Sequence, residues 1–160
     1  METTQITARP TITRDIPGIH KLIDEVYREY DCALDVLTDD THLLAPGEYA
    51  RARGGEFWVV ESGDEILATV AVKLPGNDAA ELKTLYVSPL LRRQGWGRKL
   101  SEMVIEYARA RGRRRMVLWS DTRFTDAHRL YLSLGFRQLA ETRDLRDSNN
   151  TIEYGFERDI

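Results

Sequence analysis

Val87-Ser-Pro-Leu-Leu-Arg-Arg-Gln-Gly-Trp-Gly-Arg-Lys-Leu100 joins the end of a strand to the start of a long helix, through a loop rich in bases and glycine. The helix is read over Gly95–Arg111, because Trp96, Leu100, Met103, Val104, Tyr107 and Ala108 fall on one face at helical spacing and Gly112 stops it. A helix N-terminus leaves its first N–H groups unpaired and carries a partial positive charge, so it is a ready anion site. Gly95 and Gly97 let a phosphate approach the backbone, while Arg92, Arg93, Arg98 and Lys99 add full charges. Each hydrogen bond to a charged oxygen contributes about 1.5–3 kcal/mol. The Walker pattern is excluded, since no Gly-Lys-Ser/Thr follows, and Gly95-Trp96-Gly97 lacks the third glycine of the dinucleotide fingerprint. Loop chemistry alone leaves a second reading open, a glycine-rich loop that only caps a helix.

Outward from this segment, strands and helices alternate. Before it come a short strand at Ile6–Arg9, a helix over Asp15–Tyr30 with Pro17 in its first turn, and a short helix near Pro46–Arg53. Strands at Phe57–Glu61 and Ile66–Leu74 flank the hairpin signal Ser62-Gly63-Asp64-Glu65, and another follows at Glu81–Val87. After it come a buried strand at Met116–Ser120, a helix over Thr125–Leu134 closed by Gly135, and a hairpin of Phe136–Asp144 with Thr151–Arg158. The order β-α-α-β-β-β-α-β-α-β-β predicts an α/β domain, a mixed but mostly antiparallel sheet of six to seven strands flanked by helices. In Glu81–Val87 strict alternation leaves neither face clean. The strand is either covered on both faces or bulged near Leu85, which re-aims the later side chains.

Composition bounds the partners. The 160 residues fit one domain, 1–160, with 42% hydrophobic and 31% charged residues. Cys32 is the single cysteine, so no intrachain disulfide forms and a reducing compartment is expected. No signal peptide or membrane-spanning stretch is read, and the expected location is the cytoplasm. Net charge is −3, which gives no global reason to bind nucleic acid. No His/Cys/carboxylate spacing points to a metal. The charge is unevenly placed. Residues 92–115 hold Arg92, Arg93, Arg98, Lys99 and five further arginines from Arg109 to Arg115, the last group read as solvated. Residues 24–48 are acidic, with Asp24, Glu25, Glu29, Asp31, Asp35, Asp39, Asp40 and Glu48 against Arg28.

Arg92-Arg93-Gln94-Gly95-Trp96-Gly97 resembles the Arg/Gln-x-x-Gly-x-Gly/Ala signature of the GNAT superfamily of N-acyltransferases, in the same position between fourth strand and third helix. Ala127–Phe136 looks like that family's late helix, and Arg143–Phe156 is similar to its closing hairpin. The resemblance implies a GNAT-like fold whose fourth strand is bulged and splays from the fifth. It implies acetyl-CoA as cosubstrate, with pantetheine pairing to backbone near Leu85, Tyr86 and Val87 and pyrophosphate on the amides from Arg93 through Gln94, Gly95, Trp96, Gly97 and Arg98 to Lys99.

It also implies a reaction, direct attack by an amine on the thioester. The Val87 N–H then polarises the carbonyl. Tyr131 takes the place of the general acid, protonated at pH 7 by its ordinary pKa of about 10. It equally fits the buried face of its helix beside Ala127 and Leu134. Glu81 is the candidate base, working through water, though most surface glutamates are only solvated. Ser120 and Asp121 face the same wedge, and Asp121 or Thr122 could instead cap a helix. His128 is read as a surface histidine, and His20 and His42 show no partner pattern. In the resemblance the early acidic segment walls the acceptor site, which suits a cationic amine, while a solvated loop explains it as well. The expected function is N-acetyl transfer to a primary amine of a small molecule. The alternatives are acetylation of a protein N-terminus or lysine, and an acyl-CoA-binding regulatory domain without turnover. A homodimer through the terminal hairpin is a further expectation.

Overall fold

The computed structural model describes residues 6–160. Its elements run β1 (Thr7–Pro10), α1 (Ile16–Arg28), α2 (Pro46–Arg51), β2 (Glu56–Ser62), β3 (Glu65–Lys73), β4 (Ala79–Val87), α3 (Trp96–Ala110), β5 (Arg115–Asp121), α4 (Thr125–Ser133), β6 (Arg137–Asp144) and β7 (Ile152–Asp159). They form one seven-stranded sheet in the order β1-β2-β3-β4-β5-β7-β6. β4 and β5 are its parallel pair, and the other neighbours are antiparallel. Parallel pairing needs a crossover, and α3 supplies it.

Each sheet face has its own core. Ile19 and Ile23 of α1 and Ala50 of α2 pack on Phe57, Val59 and Ala71. On the opposite face Leu100, Val104 and Ala108 of α3 and Tyr131 of α4 pack on Val70, Leu82, Met116 and Phe156. The helical faces read from spacing are therefore the buried ones, with Met103 and Tyr107 at the margin.

The register of β4 positions the site. Lys83 faces Ala71 and Tyr86 faces Thr69, so β4 uses one residue more than β3 over this interval. Thr84 takes a left-handed backbone (φ 55°), uncommon for a β-branched residue. Its carbonyl turns to accept the buried Thr69 hydroxyl at 2.8 Å. The bulge read near Leu85 is thus real and centred one residue earlier. β4 pairs with β5 over Ala79, Ala80 and Glu81 against Arg115, Met116 and Val117. Beyond that the two strands part, each held by its other neighbour.

The arginine run at the far end of α3 is not simply solvated. Arg113 donates to the carbonyls of Pro75, Asn77 and Ala79 and fixes the β3–β4 turn. Arg115 contacts Glu157, and Arg111 stacks on Tyr107. These contacts lie across the sheet or along the helix, where a linear charge count does not see them.

Asp15 anchors the start of α1. It is 4% exposed and accepts from both terminal nitrogens of Arg9 (2.8 Å each), the Thr11 hydroxyl (3.1 Å) and the Ile12 N–H (2.8 Å). The Arg9 guanidinium holds this carboxyl below its ordinary range. A depressed carboxyl contributes stability that is present above its unfolded pKa, about 3.9, and is lost as pH falls towards the folded value. Asp15→Ala should cost about 2 kcal/mol in denaturant unfolding at pH 7. The deficit of Asp15→Asn relative to the parent should shrink as pH drops from 5 to 3. A deficit independent of pH would remove the charge from this account.

Candidate active site

Where β4 and β5 separate, a cleft of about 460 Å³ opens. Leu82 to Tyr86 line one side and Leu118 to Asp121 the other. Tyr131 of α4, the loop after α1 and the β6–β7 turn complete the lining. The cleft exists because one strand is bulged and the other is pulled away by β7, so it is a product of sheet register.

The segment Arg92–Lys99 follows β4 directly. Left-handed backbone at Arg93 (φ 64°) and Gly95 (φ 79°) turns the chain so that successive amides line a concavity. The first bond of α3 runs from the Lys99 N–H to the Gly95 carbonyl (3.0 Å), so the amides of Gly95, Trp96, Gly97 and Arg98 have no acceptor within the helix. A Cβ at Gly95 would meet nothing within 4 Å, which leaves the mouth of the loop open to a bulky anion. A Cβ at Gly97 would lie 2.9 Å from Leu130 Cδ2, so this glycine also lets α4 pack against α3. These groups fit a pyrophosphate held by backbone amides.

Two residues of the signature serve differently from the sequence reading. The Arg92 guanidinium forms a bidentate pair with Glu29 (2.6 Å on both arms), and its Nε donates to the Val87 carbonyl at 3.1 Å. It therefore fastens the end of β4 to the end of α1 and is committed before any phosphate arrives. The Trp96 side chain is buried in the core beneath Lys99, whose ammonium stacks on the ring, so Trp96 offers a ligand only its amide. Arg93, Gln94 and Arg98 are exposed around the loop. Leu85, Tyr86 and Val87 follow the bulge on the open stretch of β4, and Leu85 and Tyr86 line the cleft.

Tyr131 is 5% exposed, yet it reaches the cleft. Its ring packs against Phe136 and Phe156 at 5.9 and 5.7 Å between centroids, and its hydroxyl has no protein hydrogen-bond partner among the described residues. Burial pushes its pKa well above the ordinary tyrosine value, with nearby Tyr86 adding in the same direction. Glu81 sits at the closed end of the wedge, with its carboxylate between Lys73 (3.2 Å) and Lys83 (3.6 Å). Ser120 and Asp121 line the cleft as expected. Asp121 does not cap α4. It takes the Arg123 N–H and guanidinium instead.

His128 is not a surface histidine. Its Nε2 lies 2.9 Å from the Asp121 carbonyl and 3.1 Å from the Ser120 hydroxyl, and its ring packs on Tyr154 and Phe156. Burial lowers its pKa. It ties α4 to the end of β5 and so fixes one wall of the cleft. His20 bonds to the Leu43 carbonyl at 2.6 Å.

Several cleft residues escaped the sequence reading. His42 lies on the short 3-10 turn Thr41–Leu44 and lines the cleft beside Lys83. Burial first, and then Lys83, Lys73 and Arg53, lower its pKa to about 4, so it is neutral at pH 7. Tyr27 and Phe124 flank Tyr86, a residue the sequence had already marked: the Tyr27 and Tyr86 hydroxyls lie 3.2 Å apart, and Phe124 stacks edge-on to the Tyr86 ring. Asp147 and Asn149 enter from the β6–β7 turn, where the sequence showed only turn residues. His42, Tyr27, Phe124, Asp147 and Asn149 carry no local motif. Only the tertiary pairing of loops across the cleft identifies them.

The acidic segment contributes two cleft carboxylates, Asp39 and Asp40, joined by Asp147 from the opposite wall. Among the described residues none of the three is ion-paired to a cation, in contrast to Glu81, Asp121 and Glu153 in the same cleft. Burial and the carboxylates around it raise the Asp40 pKa. No group of His, Cys, Asp and Glu suited to a metal ion occurs among the described residues, nor a helix long and apolar enough to cross a membrane.

Comparison with known proteins agrees with this geometry. Mouse N-acetyltransferase 8 is 37% identical over 99 residues, which are 59% of this chain and 44% of that protein. The chain thus spans under half the length of that curated relative. A GNAT-family acetyltransferase from Staphylococcus aureus Mu50 superposes with a TM-score of 0.85 at 19% identity, covering 97% of this chain and 99% of its own. A phosphinothricin acetyltransferase of the GNAT superfamily from Sinorhizobium meliloti, solved in complex with AcCoA, gives 0.74 at 15% identity, over 97% of this chain and 88% of its own. The Acetyltransferase (GNAT) family pattern matches residues 19–136, which takes in both walls of the splay and the whole amide-lined loop. The chain belongs to the GNAT family of acetyltransferases, whose members use acetyl-CoA as cosubstrate.

Proposed function

We propose that this chain moves an acetyl group from acetyl-CoA to a primary amine of a small molecule, by direct attack within a ternary complex. The observation that carries the reading is the conjunction of three groups at one splay. These are the open stretch of bulged β4, the unpaired amides at the α3 N-terminus, and the Tyr131 hydroxyl, which opens to the cleft without a protein partner among the described residues. The amides from Arg93 to Lys99 hold the pyrophosphate, and the backbone of Leu85, Tyr86 and Val87 aligns the pantetheine arm. The Val87 N–H stabilises the developing oxyanion. Tyr131 gives a proton to the departing thiolate. Glu81 takes the amine's proton through water. The acceptor approaches past Asp39, Asp40 and Asp147, whose unpaired charges attract a cation.

The single free thiol fits a cytoplasmic enzyme. The exposed edge strand β6 is where a homodimer contact would form.

Thiol release from acetyl-CoA, measured across polyamines, aminoglycosides, amino acids and basic peptides, tests the reading. Amine-dependent release with a small cationic amine is expected. Tight acetyl-CoA binding without release for any acceptor would leave a regulatory binding domain in its place.

A further inference from the structure

The end of α1 touches both sides of the splay. Tyr27 meets Tyr86 on β4, with hydroxyls 3.2 Å apart and rings edge-on at 5.8 Å. The Tyr30 ring packs on Phe124, beyond the end of β5, at 4.9 Å between centroids. Between them Glu29 holds the Arg92 guanidinium by both arms, and the Nε of that group donates to the Val87 carbonyl at 3.1 Å. The helix itself does not explain Glu29. It follows Arg28, the last residue of α1, and an acid there opposes a dipole that favours a cation. Nor does stability explain it, since both side chains are over a third exposed and such pairs add little. What the pair holds is a direction. The N–H and C=O of one strand residue point to the same side, and the side alternates along the strand. The Ser88 N–H bonds back to the Leu67 carbonyl at 2.8 Å, so Val87 turns both its groups away from β3, to the side where Arg92 takes the carbonyl. That is the side from which β5 has departed.

We propose that Glu29 is a positioning residue for acetyl transfer: acting through Arg92, it aims the Val87 N–H at the thioester oxygen. This role rests on the acetyl-transfer reading and adds to it a residue that touches neither acceptor nor cosubstrate. Arg92 is then a fastener rather than a pyrophosphate ligand, and the sign of one effect tells the two apart. If Arg92 were held in reserve for phosphate, Glu29 would compete with the cosubstrate, and removing Glu29 would tighten binding. A positioning pair leaves binding alone and changes the chemical step. An oxyanion donor works only at the right distance and angle, so a loosened Val87 costs rate.

The test uses Glu29→Ala, Glu29→Gln, Arg92→Lys and the Glu29→Ala/Arg92→Lys double variant. Glu29→Ala should lower kcat about tenfold, a misplacement of about 1 Å costing about 100-fold, with the acetyl-CoA dissociation constant within about twofold and the melting temperature unmoved. Glu29→Gln keeps one acceptor oxygen and should recover most of the rate. Arg92→Lys keeps the charge, loses Nε and should match Glu29→Ala. The double variant should be no slower than either single one, because the two residues act as a unit. Tighter acetyl-CoA binding by Glu29→Ala makes Arg92 a phosphate ligand and overturns the role. Unchanged kcat, or losses that multiply in the double variant, overturn it too. The Val87 carbonyl carbon resonance of the cosubstrate-free protein needs no turnover. It should move in Glu29→Ala and Arg92→Lys, while that of Ala80, where β4 is paired to β5, stays in place. An unmoved Val87 resonance overturns the role whatever the kinetics. If the resonance moves but the parent acetylates no amine, the acetyl-transfer reading falls and takes the role with it.

Discussion

Tyr131→Phe is expected to lower kcat by about 100-fold, the low end of what a positioned general acid contributes. The acetyl-CoA dissociation constant should stay within a factor of two. The ring's packing on Phe136 and Phe156 survives the change, and the hydroxyl it removes has no protein partner among the described residues. Stability should therefore be unaltered, which separates a chemical from a structural role. Burial raises the pKa of this phenol, so it is a weaker acid than tyrosine in water. In the proposed reaction the thiolate departs beside the same ring, where the desolvation that raises the phenol's pKa raises the thiolate's proton affinity in the same direction. A raised folded pKa also means that the donor keeps its proton as pH climbs to the ordinary tyrosine range. Parent kcat should show no descending limb from this group below pH 10. Full turnover in the phenylalanine variant would dismiss the acid role, leaving Tyr131 as a core residue with Leu134 and Phe156.

Much of this site was legible along the chain, because the half proposed to take the cosubstrate is built from local structure. A strand, a basic glycine loop and an amphipathic helix in succession make an anion site wherever they occur. The broken alternation of Glu81–Val87 left a bulge as one of two readings, beside a strand covered on both faces. It could not fix the bulge at Thr84, because that depends on the Thr69 hydroxyl across the ladder finding the Thr84 carbonyl. Side-chain destinations within the loop were less legible. Arg92 and Arg98 look alike in sequence, yet Arg92 is claimed by Glu29, 63 residues away, and Arg98 reaches Ser133. The half proposed for the acceptor was hardly readable at all. His42, Asp147 and Asn149 become neighbours only when the loop after α1 and the β6–β7 turn close on each other, and no periodicity records such a meeting. His128 shows the same limit. A histidine one turn from Tyr131 reads as exposed until β5 is packed beneath it.

Gly97→Asp should weaken acetyl-CoA binding by about 100-fold, roughly 2.7 kcal/mol, while leaving the fold at least as stable. The two effects have opposite signs for reasons visible in α3. An aspartate in the first turn of a helix suits its dipole by about 0.3–1 kcal/mol, and replacing a helical glycine recovers up to about 1 kcal/mol of backbone entropy. Against this, the new Cβ approaches Leu130 Cδ2 at 2.9 Å, which a leucine tip can relieve by rotating. The protein should therefore melt at the parent temperature or slightly above. The ligand meets a different balance. In the proposed binding mode its pyrophosphate sits on the amides that the new carboxylate faces, and the first bond of α3, from Lys99 to Gly95, leaves those amides no other partner in the helix. Gly97→Ala carries the same steric load without the charge and should shift the dissociation constant less than fivefold. Salt separates the two contributions further. Raising ionic strength from 0.1 to 1 M shortens the screening length from about 10 Å to 3 Å, so the aspartate penalty should shrink while the alanine effect holds. Calorimetric titration of acetyl-CoA into the three proteins at both salt concentrations decides it. An unchanged dissociation constant for Gly97→Asp would move the pyrophosphate off this helix terminus and leave the glycines of the loop with only their packing role against α4.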